Sequence, residues 1–304
     1  RTILRVNKDG KKHLWMPFAS QYRGLFAIRR NLLKNREGNT IIFQEVNQDL
    51  QLTFRYSWQF SETYGFVRFS NLLNFGREQV AVELIDGIQN LLPYGVSSEM
   101  QLEKSNLVNA YKKNELDPSS GLGIYSLSSM IVDRPEPSEA LKATTVWSAG
   151  LKAKSHLLSD RQLETFARGG GVKQEEDIRA EPGCYFIESE IHLDPDQKKE
   201  WYVVAEVNQD HADVINLIQE IIEGEKDLRQ RLISDISAGT NALRSLVGLA
   251  DGLQLTGDRL STGRHYTNVL FNIMRGGIFD EQYHVDKNDF LIYIATRNKT
   301  IPTQ

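Results

Sequence analysis

The period of the hydrophobic pattern changes once along this chain, near Val207, and that change limits the fold more than any other feature. Before it, apolar residues recur at every second position, the repeat of a strand that buries one face. Leu50, Leu52, Phe54, Tyr56, Trp58 and Phe60 alternate with Gln51, Thr53, Arg55, Ser57 and Gln59. Val80, Val82 and Leu84 repeat the pattern, as do Trp201, Val203, Ala205 and Val207. Further strands are expected near residues 13–18, 25–32, 39–46, 65–73, 121–132, 141–149 and 183–192. Turn chemistry separates them at Glu37-Gly38-Asn39, Asp86-Gly87, Asp117-Pro118, Pro135-Glu136-Pro137 and Glu181-Pro182-Gly183. Many antiparallel strands without helical patterns between them mean a sandwich or barrel, not a doubly wound sheet.

After residue 208 the repeat is helical. Asp210 is placed to cap a helix whose apolar residues Val214, Leu217, Ile218, Ile221 and Ile222 fall on one face, with a break at Gly224. Leu228, Leu232 and Ile236 make a second stripe. Leu243, Leu246, Val247 and Ala250 make a third, which ends at Asp251-Gly252. A fourth helix carries Tyr266, Val269, Leu270, Ile273 and Met274 and stops at Gly276-Gly277, and Asp286 caps a fifth through Phe290, Leu291, Tyr293 and Ile294. Ser159-Asp160-Arg161 opens a short helical insertion running into Arg168-Gly169-Gly170-Gly171. Proline agrees with the division, since residues 196 to 301 contain none. Residues 1–207 are therefore expected as one β-sandwich and 208–304 as a helical segment: a β-rich fold with an α-helical C-terminal part.

Composition removes several function classes. Lys and Arg total 36 against 40 for Asp and Glu, giving 36 − 40 = −4, with 40% hydrophobic and 25% charged residues. That balance argues against a disordered chain or one that coats nucleic acid. No apolar run approaches the roughly 18 residues that span a bilayer. The single cysteine, Cys184, forms neither an internal disulfide nor a thiolate metal cage, so redox chemistry leaves the compartment open, the cytoplasm being favoured over the periplasm. The chain opens at Arg1 with neither an initiator Met nor a signal segment, as an excised or trimmed piece would. Gly121-Leu122-Gly123 lacks the third glycine of a dinucleotide loop, Gly169 to Gly171 lacks the Walker spacing, and no G-x-S-x-G elbow occurs. The six histidines show no metal-ligand spacing, and Lys198 and Lys199 spoil the calcium-like start Asp194-Pro195-Asp196. No catalytic residue, metal site or cofactor is expected.

Binding residues are more legible. A saccharide is held by an aromatic face against its apolar side and polar groups on its hydroxyls. Trp58 lies on the apolar face of its strand and is assigned to the core; Tyr64 and Tyr111 are the platform candidates. The pattern D-G-[I/L]-Q occurs at Asp86-Gly87-Ile88-Gln89 and again at Asp251 to Gln254, where an Asp-Gly turn presents a glutamine, so Asp86 and Gln89 join the candidates; turn chemistry alone also explains the pattern. On the fourth helix, Arg264, His265, Asn268, Asn272 and Arg275 share the face opposite the apolar stripe, a set of donors without acid or lysine that suits the backbone carbonyls of a neighbouring domain. Glu190 and His192 share one strand face and are the pair a mutarotase-like enzyme would need; an exposed polar face explains them more simply.

The order of large sandwich, helical linker and glycine-terminated helix resembles the N-terminal part of bacterial carbohydrate-active proteins of the cellobiose phosphorylase and glycogen-debranching-like type. The stretches that carry the likeness are Glu45 to Leu50, Tyr64 to Arg68, Asp86 to Pro93, Ser105 to Lys112 and Arg264 to Gly277. The resemblance implies a supersandwich shared with galactose mutarotases, followed by helices leading into a six-hairpin α/α toroid that holds the catalytic acid. Such a toroid needs more helices than this sequence supplies, so no catalytic residue carries over. The likeness therefore implies a non-catalytic accessory region of a carbohydrate-active enzyme that assembles with and shapes a neighbouring active site; a stand-alone carbohydrate-binding module and a mutarotase-like sugar enzyme are the alternatives. The implied partners are a C-terminal catalytic domain of the same protein, an oligosaccharide and a second copy of the chain, with no nucleic acid and no membrane.

Overall fold

The computed structural model describes residues 1–20, 24–131, 140–254, 256–277 and 286–298. In chain order these form β1 (Thr2–Lys8), β2 (Lys11–Trp15), β3 (Ile28–Lys34), β4 (Ile41–Asn47), β5 (Leu52–Ser61), β6 (Gly65–Asn74), β7 (Val80–Leu91), α1 (Ser98–Glu103), α2 (Ser105–Tyr111), β8 (Lys112–Asp117), β9 (Leu122–Leu127) and β10 (Ala143–Ala149). Then come β11 (Ser155–Leu157), α3 (Leu163–Ala167), β12 (Asp177–Arg179), β13 (Gly183–Leu193), β14 (Lys198–Gln209), α4 (His211–Glu223), α5 (Glu225–Leu249), α6 (Arg259–Gly276) and α7 (Lys287–Arg297). The switch to helix falls between Gln209 and His211, where the hydrophobic period changes. The turn expected at Pro135-Glu136-Pro137 lies outside the described residues.

The strands build a five-stranded sheet, β11-β13-β7-β1-β2, and a nine-stranded sheet, β12-β8-β9-β10-β14-β6-β5-β4-β3, with every pairing antiparallel. Asp9 and Gly10, both at positive φ, make the two-residue turn of the first hairpin, the geometry whose twist matches paired strands. The alternation of each strand places one set of side chains between the sheets. Leu4, Val82, Leu84 and Ile191 of the smaller sheet meet Leu52, Phe54, Leu72 and Trp201 of the larger. Toward β8 and β9, Tyr125, Val146, Tyr185 and Val203 continue the same layer. The outer faces are covered as well: α3 seats Leu163 and Phe166 on the smaller sheet, and α4 with the first half of α5 seats Leu217, Leu228 and Leu232 on Val67, Trp147 and Val204. Asp210 caps α4 through a reciprocal capping box with Asp213.

Several expectations need correction. Asp86-Gly87 is not a turn; it lies in the middle of β7, because strand pairing on both sides outweighs the local turn preference of an Asp-Gly pair. The second and third helical stripes belong to one helix, α5, and two short helices, α1 and α2, interrupt the strands. On β5 the apolar row is buried only at its start: Leu52 and Phe54 are closed off, Tyr56 and Trp58 are half-buried, and Phe60 is 52% exposed. The opposite, polar face is the covered one there. Ser61 is fully buried, donating to Asp235 of α5 at 2.5 Å, and Thr63 Oγ1 reaches the other carboxylate oxygen at 3.0 Å.

By its contacts the chain separates into two compact units, one of Arg1–Lys34 with Thr40–Ile236 and one of Asn35–Asn39 with Ser237–Gln304. In the second, Arg244 binds the buried Glu37 carboxylate at 2.7 and 2.8 Å. Burial pushes the Glu37 carboxyl up, but the hydrogen bond and charge of Arg244 hold it below its ordinary value. Val247 and Tyr266 are buried, and Gly252 lets the chain pass against Val247 and Val269. No helix of the described residues is long and apolar enough to cross a membrane.

Candidate functional site

A charge inside a sandwich must be paired, and in the first unit Arg68 of β6 and Asp86 of β7 pair across the two sheets. They are 3% and 0% exposed. Arg68 Nη1 donates to Asp86 Oδ2 at 2.5 Å, and Trp201 Nε1 donates to the same oxygen at 2.7 Å. Thr2 Oγ1 donates to Oδ1 at 2.6 Å while accepting from Arg68 Nη2 at 3.1 Å. Strand register delivers each partner: Thr2 sits opposite Asp86 on β1, and Trp201 opposite Ser70 on β14. Burial alone would raise the Asp86 carboxyl, but the charge and hydrogen bond of Arg68 hold it below the usual carboxylate value.

Arg68 and Thr2, the partners of Asp86, line a groove of about 620 Å³. Tyr56 and Trp58 form one wall, Ile88 and Gln89 of β7 another, and the segment Met16–Ala19 a third. The Arg68 guanidinium lies 4.7 Å over the Tyr56 ring, and Phe43 stacks on that ring at 4.8 Å with planes 11° apart, so Tyr56 is fixed in orientation. Trp58, by contrast, has no aromatic partner among the described residues. The third wall is tied by Glu45, 1% exposed, which accepts from Trp15 Nε1 at 2.8 Å, the Phe18 amide at 2.8 Å and Arg30 Nε at 2.7 Å. Phe18 sits at φ 65°, a left-handed conformation that costs a non-glycine residue roughly 1–3 kcal/mol and is found at ligand clamps. A half-buried indole in a groove that an amide and a neutralised arginine also line offers stacking and hydrogen bonds to a polyol.

No family model and no curated protein matches the chain. Among solved structures it is similar to a bacterial glucoamylase complexed with acarbose, with TM-score 0.48 and 8% identity over 88% of this chain and 35% of that one. It is similar also to a polysaccharide lyase, with TM-score 0.43 and 9% identity over 72% and 27% of the two chains. A protein described as a kojibiose phosphorylase from the human microbiome gives TM-score 0.39 and 7% identity over 90% and 27%. The chain thus spans 27–35% of the length of these structures. Likenesses this remote carry no inference about activity.

The four saccharide candidates fall in three places. Gln89 lines the groove, whereas Asp86 is fully buried behind it and reaches it only through its partners Arg68 and Thr2. Tyr64 lies in the β5–β6 turn, edge-on to Trp147 with centroids 6.0 Å apart; its hydroxyl donates to Glu220 at 3.4 Å, in a separate pocket of about 250 Å³. Burial, with the nearby Glu220 charge, raises its hydroxyl pKa. Tyr111 ends α2 and packs on Val96, Val108 and Leu127. On α6, Arg264, Asn268, Asn272 and Arg275 are exposed, while His265 is half-buried with Nε2 2.8 Å from the Asp251 carbonyl. Met274, expected inside, is 77% exposed. Glu190 and His192 stand on an exposed strand face, with His192 Nε2 3.9 Å from a Glu190 carboxylate oxygen; Glu190 pairs with Lys154, whose hydrogen bond lowers its pKa. Among the described residues no three His, Cys, Asp or Glu side chains converge as a metal site.

Sequence reasoning missed Arg68, Tyr56, Trp201 and the placement of Trp58. A signal for the first was present: a lone arginine between Phe66-Val67 and Phe69 on a strand must find an acid.

Proposed function

We propose that this chain is the non-catalytic sandwich and helical linker of a larger carbohydrate-processing protein, and that its inter-sheet groove holds a saccharide. One observation carries the second half: Trp58 stands half-buried on a strand whose earlier residues are core, in a groove that Gln89 and Arg68 also line. Neutral gluco-oligosaccharides titrated into the protein should quench or shift tryptophan fluorescence. Trp58→Ala should weaken binding at least tenfold, about 1.4 kcal/mol, and leave the melting temperature within a few degrees. Binding indifferent to Trp58, or no binding of any saccharide, would end this reading.

The linker half rests on α6, whose donors Arg264, Asn268, Asn272 and Arg275 face solvent beside the exposed rings and thioether of Phe271 and Met274. Donors stabilise when they meet acceptors, by roughly 0.5–1.5 kcal/mol net for a neutral hydrogen bond. A catalytic domain of the same protein would supply those acceptors. Replacing Asn268 and Asn272 by Ala should change the stability of this chain by less than about 0.5 kcal/mol, yet lower the melting temperature of the larger protein by several degrees. Equal effects in both would mean the face is satisfied within the chain.

A further inference from the structure

The apolar row of β5 continues beyond the residues that line the groove. Tyr56 and Trp58 wall the groove; Phe60, the next residue on that face, is 52% exposed. The β5–β6 register is unbroken here, with Trp58 opposite Arg68 and Phe60 opposite Phe66. Phe66 is also 52% exposed, and the Phe60 and Phe66 rings meet edge to face with centroids 5.7 Å apart. A strand advances about 3.4 Å per residue, so rings two positions apart repeat about every 7 Å, and the row from Tyr56 to Phe60 covers about 14 Å.

From this row we propose that the site takes a linear, neutral oligosaccharide lying along β5, its end in the groove and its following units stacked over Trp58 and the Phe60–Phe66 pair; the inference rests on the saccharide reading of the groove. Three features choose this ligand. The rings lie in a line on one strand rather than in a round patch, which suits an extended chain with repeating apolar faces. The groove end is where hydroxyls find partners, in Gln89 and Ser20 of its lining. The buried charge there is cancelled, since Arg68 is spent on Asp86 and Thr2, and the other cation of the lining, Arg1, is exposed to solvent. The nearby aliphatic side chains Leu32 and Ile41, 69% and 45% exposed, widen the face, and a protein partner is the competing occupant.

The test is a length series of β-1,4- and α-1,4-linked gluco-oligosaccharides, from glucose to the hexasaccharide, measured by calorimetry. Affinity should rise from the monosaccharide to a plateau near the trisaccharide in one of the two series. Phe60→Ala and Phe66→Ala, both at exposed positions, should shift the melting temperature by no more than a few degrees and remove most of that gain, about tenfold for the longer chains, without weakening the shortest ligand that binds. Trp58→Ala should weaken every length. Affinity independent of length, or a gain that survives both phenylalanine substitutions, overturns the track and leaves the groove reading standing. If no saccharide of either series binds, both fall, and the aromatic face is left to a protein.

Discussion

Asp86→Ala is expected to unfold this protein's sandwich more readily than almost any other single change. The substitution removes the acceptor of Arg68, Thr2 and Trp201 at once, and the carboxylate lost is fully buried. Breaking a buried ion pair from one side costs about 3–5 kcal/mol, because the surviving charge stays buried without compensation. In a unit of this size that is a fall in melting temperature on the order of 10 °C. Replacing both charges, with Arg68→Met and Asp86→Leu together, should recover much of the loss, although Trp201 Nε1 would still lack its acceptor. A single substitution costing no more than the double one would show that the pair does not hold the sheets together.

The same carboxylate gives stability a direction in pH. Its folded pKa lies below the unfolded value of about 3.8, so the unfolded chain binds the proton first. The stabilisation is therefore complete above the unfolded value and is lost as pH falls through the folded one. Glu37 works in the same sense, its carboxyl lowered by Arg244. The native protein should lose stability below about pH 4, and the Arg68→Met, Asp86→Leu variant should lose less of it over that range when both are followed by denaturant titration.

The strands and helices of this fold were readable because periodicity reports which faces are buried, and a sandwich backed by helices buries them at fixed repeats. The groove was less readable for a definite reason. An alternating pattern tells which side chains share a face, but not how far the opposing sheet extends over it. Leu52 and Trp58 are equivalent in the pattern, yet one is core and the other is the wall of a groove because cover ends between them. The Asp86-Gly87 pair misleads in the opposite way. Local chemistry favours a turn, but β1 and β13 bind β7 from both sides, and a distant arginine makes the buried aspartate tolerable. Such long-range partners are visible in sequence only as anomalies: Arg68, Asp86 and Glu45 are each a charge inside an apolar strand. Three such charges call for partners across the core, and the structure supplies them.

Gly87→Ala is the second large effect. A Cβ at this position would lie 1.9 Å from the Tyr185 carbonyl oxygen and 2.8 Å from Phe186 Cα. Both are backbone atoms of the paired strand β13, so no side-chain rotation relieves the contact. Relief requires moving β7 away from β13 along a ladder that runs from Val80 to Leu91, while Tyr185 is anchored by its hydroxyl on the Gly121 carbonyl at 2.8 Å. Overpacking of a core usually costs about 1–3 kcal/mol, and a clash with fixed backbone belongs at or above the upper end. Gly171→Ala is the control, since nothing lies within 4 Å of its added methyl and its φ is not positive; it should change stability by less than about 0.5 kcal/mol. Because Gly87, Ile88 and Gln89 line the groove, strand displacement would also shift that wall. Saccharide affinity should then fall in Gly87→Ala under conditions where the variant is still folded. Equal unfolding midpoints for the two alanine variants would mean that β7 and β13 are not so closely packed at this point, and the glycine would be a matter of chain flexibility instead.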